Sequence, residues 1–145
     1  MQSGNDAIWR RAKFLARRSD KEEIQSITLL ILYDLEIPLN CAGFDYLKNV
    51  IPVAVRKPSQ IVLKELFQEV GEQYLPKVEY YSMDRAVHDV IEKAWQNNRR
   101  NRWKCYFPDY MLDNEKPPTN AEFIAGMTYF IEMWQGCCKE GSYAK

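Results

Sequence analysis

The spacing of apolar residues predicts a chain built from α-helices. The clearest stripe lies in residues 80–96, where apolar positions recur at the three- and four-residue steps of one helical face. They are Met83, Val87, Val90, Ile91 and Ala94. The opposite face carries Asp84, Arg85, His88, Asp89 and Glu92. Any amphipathic helix with one solvated side has this pattern, so the stripe predicts a helix without yet predicting a function.

Four helices are predicted before this one. Residues 5–18 form a weak stripe that needs docking against the domain to be stable. Ser19 and Glu22 have the spacing of a capping box and begin the next helix, which ends before Pro38. The residues of this second helix expected to face the core are Ile24, Ile27, Leu30, Ile31 and Leu35.

A loop over 40–43 and a helix over 44–55 are predicted next, with Pro52 introducing a kink or an early end. The core-facing residues of this helix are expected to be Phe44, Leu47, Ile51 and Val55. Ser59 is the expected N-cap of a helix over 59–74. Its inward residues are Leu63, Leu66, Phe67, Val70 and Tyr74. Gly71 weakens it by ~1 kcal/mol relative to alanine, unless close packing against the next helix requires the glycine.

Periodicity is lost over 97–118, an interval that can contain a short helix. Its apolar residues Phe107, Pro108, Tyr110 and Met111 are expected to fold onto the core. Thr119 and Glu122 form a second capping box, which begins the final helix. That helix is expected to end at Gly136. Its buried residues are expected to be Phe123, Ile124, Met127, Trp134 and either Phe130 or Ile131.

No pair of strands joined by a hairpin turn is apparent, so the predicted fold class is all-α, a compact multi-helix bundle with an additional N-terminal helix. The helices over 59–74 and 80–96 have the arrangement of a helix-turn-helix. In that motif the second helix lies in the DNA major groove and presents polar side chains from its N-terminal half to base edges. The predicted divisions are a basic helical extension over 1–19, the domain over 20–136 and a flexible tail over 137–145.

The charge distribution is more informative than the net charge, which is zero. A neutral chain argues against a strongly basic nucleic-acid binder. Two clusters of cations nevertheless occur, five without an acid over 10–18 and four over 99–104. Attraction to phosphate is local, being screened within roughly 10 Å at physiological salt, so the clusters can act if folding brings them to one face.

Length and composition fit one globular domain, with 145 residues of which 46% are hydrophobic. No apolar run is long enough to span a membrane and no apolar signal region follows Met1, so a cytoplasmic location without membrane association is expected. The four cysteines form no CxxC pair, and His88 is the single histidine. Neither a catalytic triad nor a glycine-rich phosphate loop is present, so we expect no enzyme activity, metal or cofactor.

Three stretches resemble a known family of DNA-binding domains. IPLNCAGFDYL at 37–47, RAVHDVIEKAW at 85–95 and KPPTNAEFIA at 116–125 are similar, in this order, to segments of one effector domain. It is the C-terminal domain of the sporulation-initiation response regulator, stage-zero sporulation protein A. The resemblance runs from about Ile24 to Trp134. It implies a six-helix bundle in which 80–96 is the recognition helix of a helix-turn-helix.

The resemblance also implies site residues. Asp84 takes the place of a base-contacting glutamate and Arg85 that of a base-contacting arginine. The chemistry agrees, because arginine can donate two bonds to guanine and a carboxylate can accept from cytosine N4. His88 replaces a second base-reading arginine, and Asp89 replaces the histidine after it. The candidates for phosphate contact are Ser82, which replaces an arginine, and the cations Arg99, Arg100, Arg102 and Lys104.

Two hypotheses about function follow. By resemblance the partner is double-stranded DNA, on which successive copies associate, and the chain is a sequence-specific transcriptional regulator acting without its own receiver domain. Several exchanges remove cations, however, including Asn40 and Ala42 in place of a histidine and a lysine. The second hypothesis is therefore a degenerate helical module that binds a protein partner. DNA binding should weaken steeply with salt and require Arg85, whereas protein binding should depend on neither.

Overall fold

A computed structural model describes residues 20–57, 62–97, 100–112 and 115–143, with side chains from Lys21 to Cys137 within those ranges. Across these residues the chain forms helices and no strands. The helices are α1 (Asp20–Asp34), α2 (Ala42–Arg56), α3 (Leu63–Gly71), α4 (Tyr80–Trp95), α5 (Arg100–Trp103), α6 (Asp109–Leu112) and α7 (Asn120–Tyr143). The all-α prediction is confirmed. The helix predicted over 5–18 and the N-cap predicted at Ser19 lie outside the described residues. The N-cap prediction for Ser59 is wrong, because α3 begins at Leu63 with Val62 as its N-cap.

Four of the five core residues predicted for the second helix are buried, three of them in α1 and Leu35 directly after its end. Leu30 is the exception, because Leu32 takes a fully buried position while Leu30 is only partly buried. The helix ends in a Schellman motif, in which the amide of Ile37 donates to the carbonyl of Leu32 at 3.1 Å. The residue in the left-handed conformation is Glu36, with φ of 63°.

Helix α2 begins two residues earlier than predicted, because Ala42 and Gly43 belong to the helix and not to a loop. Pro52 lies inside the helix without ending it and is buried. Leu47, Ile51 and Val55 are buried as predicted, whereas Phe44 is only partly buried. The proline is tolerated because helices pack around this segment, and tertiary packing outweighs local preference.

Helix α3 is shorter than predicted at its C-terminal end, since it stops at Gly71 and leaves Tyr74 in the connection that follows. Leu66, Phe67 and Val70 are buried, and Leu63 and Tyr74 are partly buried. Helix α4 then runs over almost all of the residues predicted for it. Its stripe residues Met83, Val87, Val90, Ile91 and Ala94 are each at most 2% exposed, so this prediction is confirmed.

The interval after α4 contains two short helices, α5 and α6, around an aromatic cluster. The ring of Trp103 meets Trp95 edge-on at 5.2 Å between centroids, stacks with Phe107 at 5.6 Å and meets Phe123 of α7 at 5.8 Å. Burial of Phe107 was predicted correctly. The predictions for Pro108 and Tyr110 are wrong, because both residues are exposed, Tyr110 by 73%.

Helix α7 begins with the predicted capping box. The backbone amide of Thr119 donates to the Glu122 carboxylate at 2.9 Å, and the amide of Glu122 donates to the Thr119 hydroxyl at 3.1 Å. Ile131 takes the buried position for which Phe130 was the alternative. The predicted stop at Gly136 is wrong, because the helix continues to Tyr143. A glycine makes the end of a helix easier to form, but a helix can also continue through it, as α7 does here.

Candidate DNA-binding surface

Helix α4 is positioned by a close approach from the start of α2. A β-carbon placed on Gly43 would lie 2.3 Å from the carbonyl oxygen of Ala86 and 2.7 Å from Cγ2 of Val90. Real β-carbons do not occur so close to backbone atoms, so only glycine allows α2 to touch the backbone of α4 here. The contact fixes the depth at which the middle of α4 sits in the bundle.

A second glycine holds the turn between α3 and α4. A β-carbon on Gly71 would lie 2.3 Å from the carbonyl oxygen of Val78, and the amide of Val78 donates to the Gly71 carbonyl at 3.1 Å. The same β-carbon would lie 3.3 Å from the sulfur of Met83 in α4. Close packing therefore explains this glycine, but the shortest contact is with Val78 of the turn, and the expected contact with the next helix is the longer one to Met83.

Tyr74 anchors the turn to α2. Its hydroxyl donates to the Asp45 carboxylate at 2.7 Å and accepts from the Asn49 amide at 2.7 Å, while its ring meets Tyr46 edge-on at 5.5 Å. The hydrogen bond from Tyr74, assisted by Lys48, lowers the pKa of Asp45 below its ordinary value of 3.8. Burial, followed by the bond to Asp45, raises the pKa of the Tyr74 phenol. The turn is thus held by polar bonds in addition to apolar packing.

The face of α4 opposite the core is exposed and carries most of the base-contact candidates. Arg85, His88 and Asp89 are exposed, as is Ser82 in the first turn. His88 lies 3.6 Å from the Glu92 carboxylate, an ion pair when the histidine is protonated. The Arg85 guanidinium makes no ion pair with any described residue. Arg85 therefore projects from the N-terminal half of α4 with its donors available.

Asp84 differs from these neighbours because it is partly buried and already bonded. The side-chain amide of Asn120, the first residue of α7, donates to both the backbone carbonyl and the carboxylate Oδ1 of Asp84, at 2.8 Å each. One carboxylate oxygen is thereby committed to the fold. Asn120 is not among the residues expected from sequence, because the capping box beside it gives no signal of a contact with α4.

Arg102, one of the cations that follow α4, is held by contacts with other residues of the domain. Arg102 forms an ion pair with Asp34 of α1, and Asp34 also accepts a 2.5 Å hydrogen bond from Tyr106. Burial and the bond to Asp34 raise the pKa of Tyr106. A sequence signal for this cluster existed, because Asp34 lies three residues after Ile31 on the buried stripe of α1. A carboxylate on an apolar stripe requires a partner.

Arg100 is likewise folded back. Its guanidinium lies 3.7 Å above the ring of Trp95 and also donates to the Trp95 carbonyl at 3.4 Å. Lys104 is exposed, and Arg99 lies outside the described residues. Among the described cations predicted to contact phosphate, Lys104 is therefore the one that is exposed and makes no contact like those of Arg100 and Arg102.

The sequence matches one protein family over most of its length. Residues 28–131 match the family described as sporulation initiation factor Spo0A C terminal, and this range contains α2 to α6, about half of α1 and half of α7. The chain belongs to this family. Members of the Spo0A C-terminal family are DNA-binding regulatory domains of sporulation, not enzymes. The search of solved structures gave no significant match.

Within this Spo0A C-terminal fold the described residues show few other binding features. They contain no group of three or more His, Cys, Asp or Glu side chains that could hold a metal ion. Cys41, Cys105 and Cys137 form no disulfide within the described part of the chain. None of the helices in the described ranges is both long enough and apolar enough to cross a membrane. The exposed face of α4 is therefore the best-developed candidate surface of this domain.

Proposed function

We propose that the chain is a sequence-specific DNA-binding transcriptional regulator that reads duplex DNA with the exposed face of α4. The observation that carries the proposal is the position of Arg85, exposed and free of ion pairs with other described residues in the N-terminal half of the second helix of a helix-turn-helix. That half of the recognition helix meets base edges in this motif. Membership of a DNA-binding family supports the same reading.

Each candidate side chain has a role that suits its chemistry and its exposure. Arg85 donates two bonds to guanine O6 and N7, and Asp84 accepts from cytosine N4 with its remaining oxygen. His88 and Asp89 reach the base pairs one helical turn further on. Ser82 and Lys104 donate to phosphates, which fixes the register of the domain on the duplex. Arg100 and Arg102 contribute indirectly, by holding the segment after α4 against the bundle.

The test begins with selection of bound duplexes from a randomised library. Fluorescence anisotropy then compares the selected and a scrambled duplex at two salt concentrations. Arg85→Ala should remove most of the preference for the selected duplex, since a bidentate base contact contributes ~1–3 kcal/mol of discrimination. Lys93→Ala is the matched control, because it removes an exposed cation from the last turn of the same helix. It should weaken both duplexes about equally, and equal preference after Arg85→Ala would reject the assignment.

Binding to a protein partner is the second candidate function, and the charge of α4 favours it. The polar face holds three carboxylates, Asp84, Asp89 and Glu92, against the two permanent cations Arg85 and Lys93. Carboxylates near phosphates are repelled, so this face is less suited to DNA than a basic one. If selection recovers no preferred duplex and weak binding is insensitive to Arg85→Ala, this candidate replaces the first.

A further inference from the structure

The contact between Asn120 and Asp84 joins the start of the last helix to the start of the recognition helix. Asn120 is only 8% exposed, and its amide nitrogen donates to two atoms of Asp84, the backbone carbonyl oxygen and the carboxylate Oδ1. The backbone on either side of Asn120 is fixed by the capping box between Thr119 and Glu122. The amide therefore has little freedom to move.

The orientation of the Asn120 amide is determined by its surroundings. Both contacted atoms of Asp84 are acceptors, so the nitrogen must face them. The carbonyl oxygen of the same amide is buried and has no hydrogen-bond partner among the described residues. A buried acceptor without a partner destabilises a fold. A contact that leaves this acceptor unsatisfied points to a role for the asparagine beyond packing.

The consequence for Asp84 is a carboxylate held in one orientation. With Oδ1 bonded to Asn120, the side chain cannot rotate freely about its own bonds, and Oδ2 is left to accept a hydrogen bond from another donor. Preorganised polar groups discriminate between ligands better than mobile ones, because less freedom is lost on binding. Asp84 also stands directly before Arg85, at the part of α4 that meets base edges.

We propose that Asn120 is a positioning residue for base recognition, which holds the Asp84 carboxylate in the orientation that accepts a hydrogen bond from cytosine N4. The inference rests on the proposed function, since it presupposes that α4 reads DNA. Asn120 itself touches no base in this scheme. It makes the preference at one base pair depend on α7, a helix outside the helix-turn-helix.

The experiment measures the preference of the protein for each base pair of the selected duplex separately. Each base pair of the selected duplex is varied in turn, and anisotropy gives the dissociation constant for the wild type, Asp84→Ala, Asn120→Ala and the double variant. Asp84→Ala identifies the base pair read by Asp84. Asn120→Ala should reduce the preference at that same pair about tenfold, the order expected for one base contact, and leave the pair read by Arg85 unchanged. The double variant should lose no more than Asp84→Ala alone.

Ile131→Val is the control for stability. It removes one buried methyl group from α7 eleven residues after Asn120 and leaves the capping box intact, so it should destabilise the domain while keeping every base preference. Asn120→Ser replaces Asn120→Ala if the alanine variant does not fold, because the serine hydroxyl has a single proton and cannot donate to both acceptors of Asp84 at once.

Three results would overturn the inference while leaving the proposed function intact. Asn120→Ala could keep the preference at the pair read by Asp84, it could lower all preferences together as a loss of folding does, or Asp84→Ala could change no preference while Arg85→Ala does. A wild-type protein with no preference for any duplex would instead reject the proposed function and this inference together.

Discussion

Gly43 lies so close to Ala86 that a β-carbon on the glycine would stand 2.3 Å from the Ala86 carbonyl oxygen. This contact places α2 directly against the recognition helix. Both atoms that would clash belong to a helix backbone or a buried side chain, so neither can move aside cheaply. The depth of α4 in the bundle, and hence the exposure of Arg85, depends on this glycine.

Gly43→Ala should therefore destabilise the domain by about 1–3 kcal/mol, the usual range for overpacking a close contact. Gly136→Ala is the matched control, because Gly136 is also helical but a β-carbon there would meet nothing within 4 Å. That variant should be more stable than the wild type by up to ~1 kcal/mol, from helix propensity alone. Urea denaturation measures both. Equal effects in the two variants would show that the close approach to Ala86 is not restrictive.

Tyr74→Phe should destabilise the domain by about 1–2 kcal/mol at neutral pH, because it removes the bonds of the hydroxyl to Asp45 and Asn49. The effect should depend on pH. The pKa of the Asp45 carboxyl is lowered in the folded state, so its contribution is present above the ordinary value of 3.8 and is lost as the pH falls through the folded value. The gap between wild type and variant should therefore narrow below about pH 4.

Urea denaturation over a pH series tests this prediction. Tyr33→Phe, which alters a tyrosine that is 66% exposed, should change stability by less than about 0.5 kcal/mol at every pH. A gap for Tyr74→Phe that stays constant from neutral to acid pH would show that the bond to Asp45 does not contribute.

Arg102→Ala should destabilise the domain by about 1–3 kcal/mol, because the buried Asp34 carboxylate then keeps only its hydrogen bond from Tyr106. Lys104→Ala, at an exposed cation two residues away, should change stability by less than about 0.5 kcal/mol. For DNA binding, the larger effect should come from Lys104→Ala and not from Arg102→Ala. Lys104→Ala should reduce the salt dependence of binding by about one counterion, as expected for a phosphate contact, and folded Arg102→Ala should not. A stable Arg102→Ala variant with reduced salt dependence would instead identify Arg102 as a phosphate contact.

Glu36 is the non-glycine residue with positive φ among the described residues. The variants Glu36→Gly and Glu36→Ala separate the effect of its backbone conformation on stability from the effect of its carboxylate. Both remove the carboxylate that accepts from Asn97, so that loss is common to the pair. The glycine variant should be the more stable by about 1 kcal/mol, because alanine keeps a β-carbon in the left-handed region. Thermal unfolding measures the difference. A more stable alanine variant would mean that the chain relaxes out of the Schellman motif.

The sequence by itself determined the helices and most of their inner faces. The apolar stripe of α4 was predictable because the buried side of a helix recurs every three to four residues. The capping box at Thr119 was predictable because its two hydrogen bonds join residues three apart. The family was also recognisable from short motifs, and the match over 28–131 confirms it. Such local features depend only on residues that are neighbours along the chain.

The tertiary structure alone decided which polar groups of the site are available. Asp84 meets Asn120 across thirty-six positions of sequence and Arg102 meets Asp34 across sixty-eight, and no local pattern encodes either pair. The retention of Pro52 inside α2 is a further example. There packing between distant segments outweighs a local preference of about 3 kcal/mol. Base-contact candidates follow from the helix pattern, but their freedom to act follows from the fold.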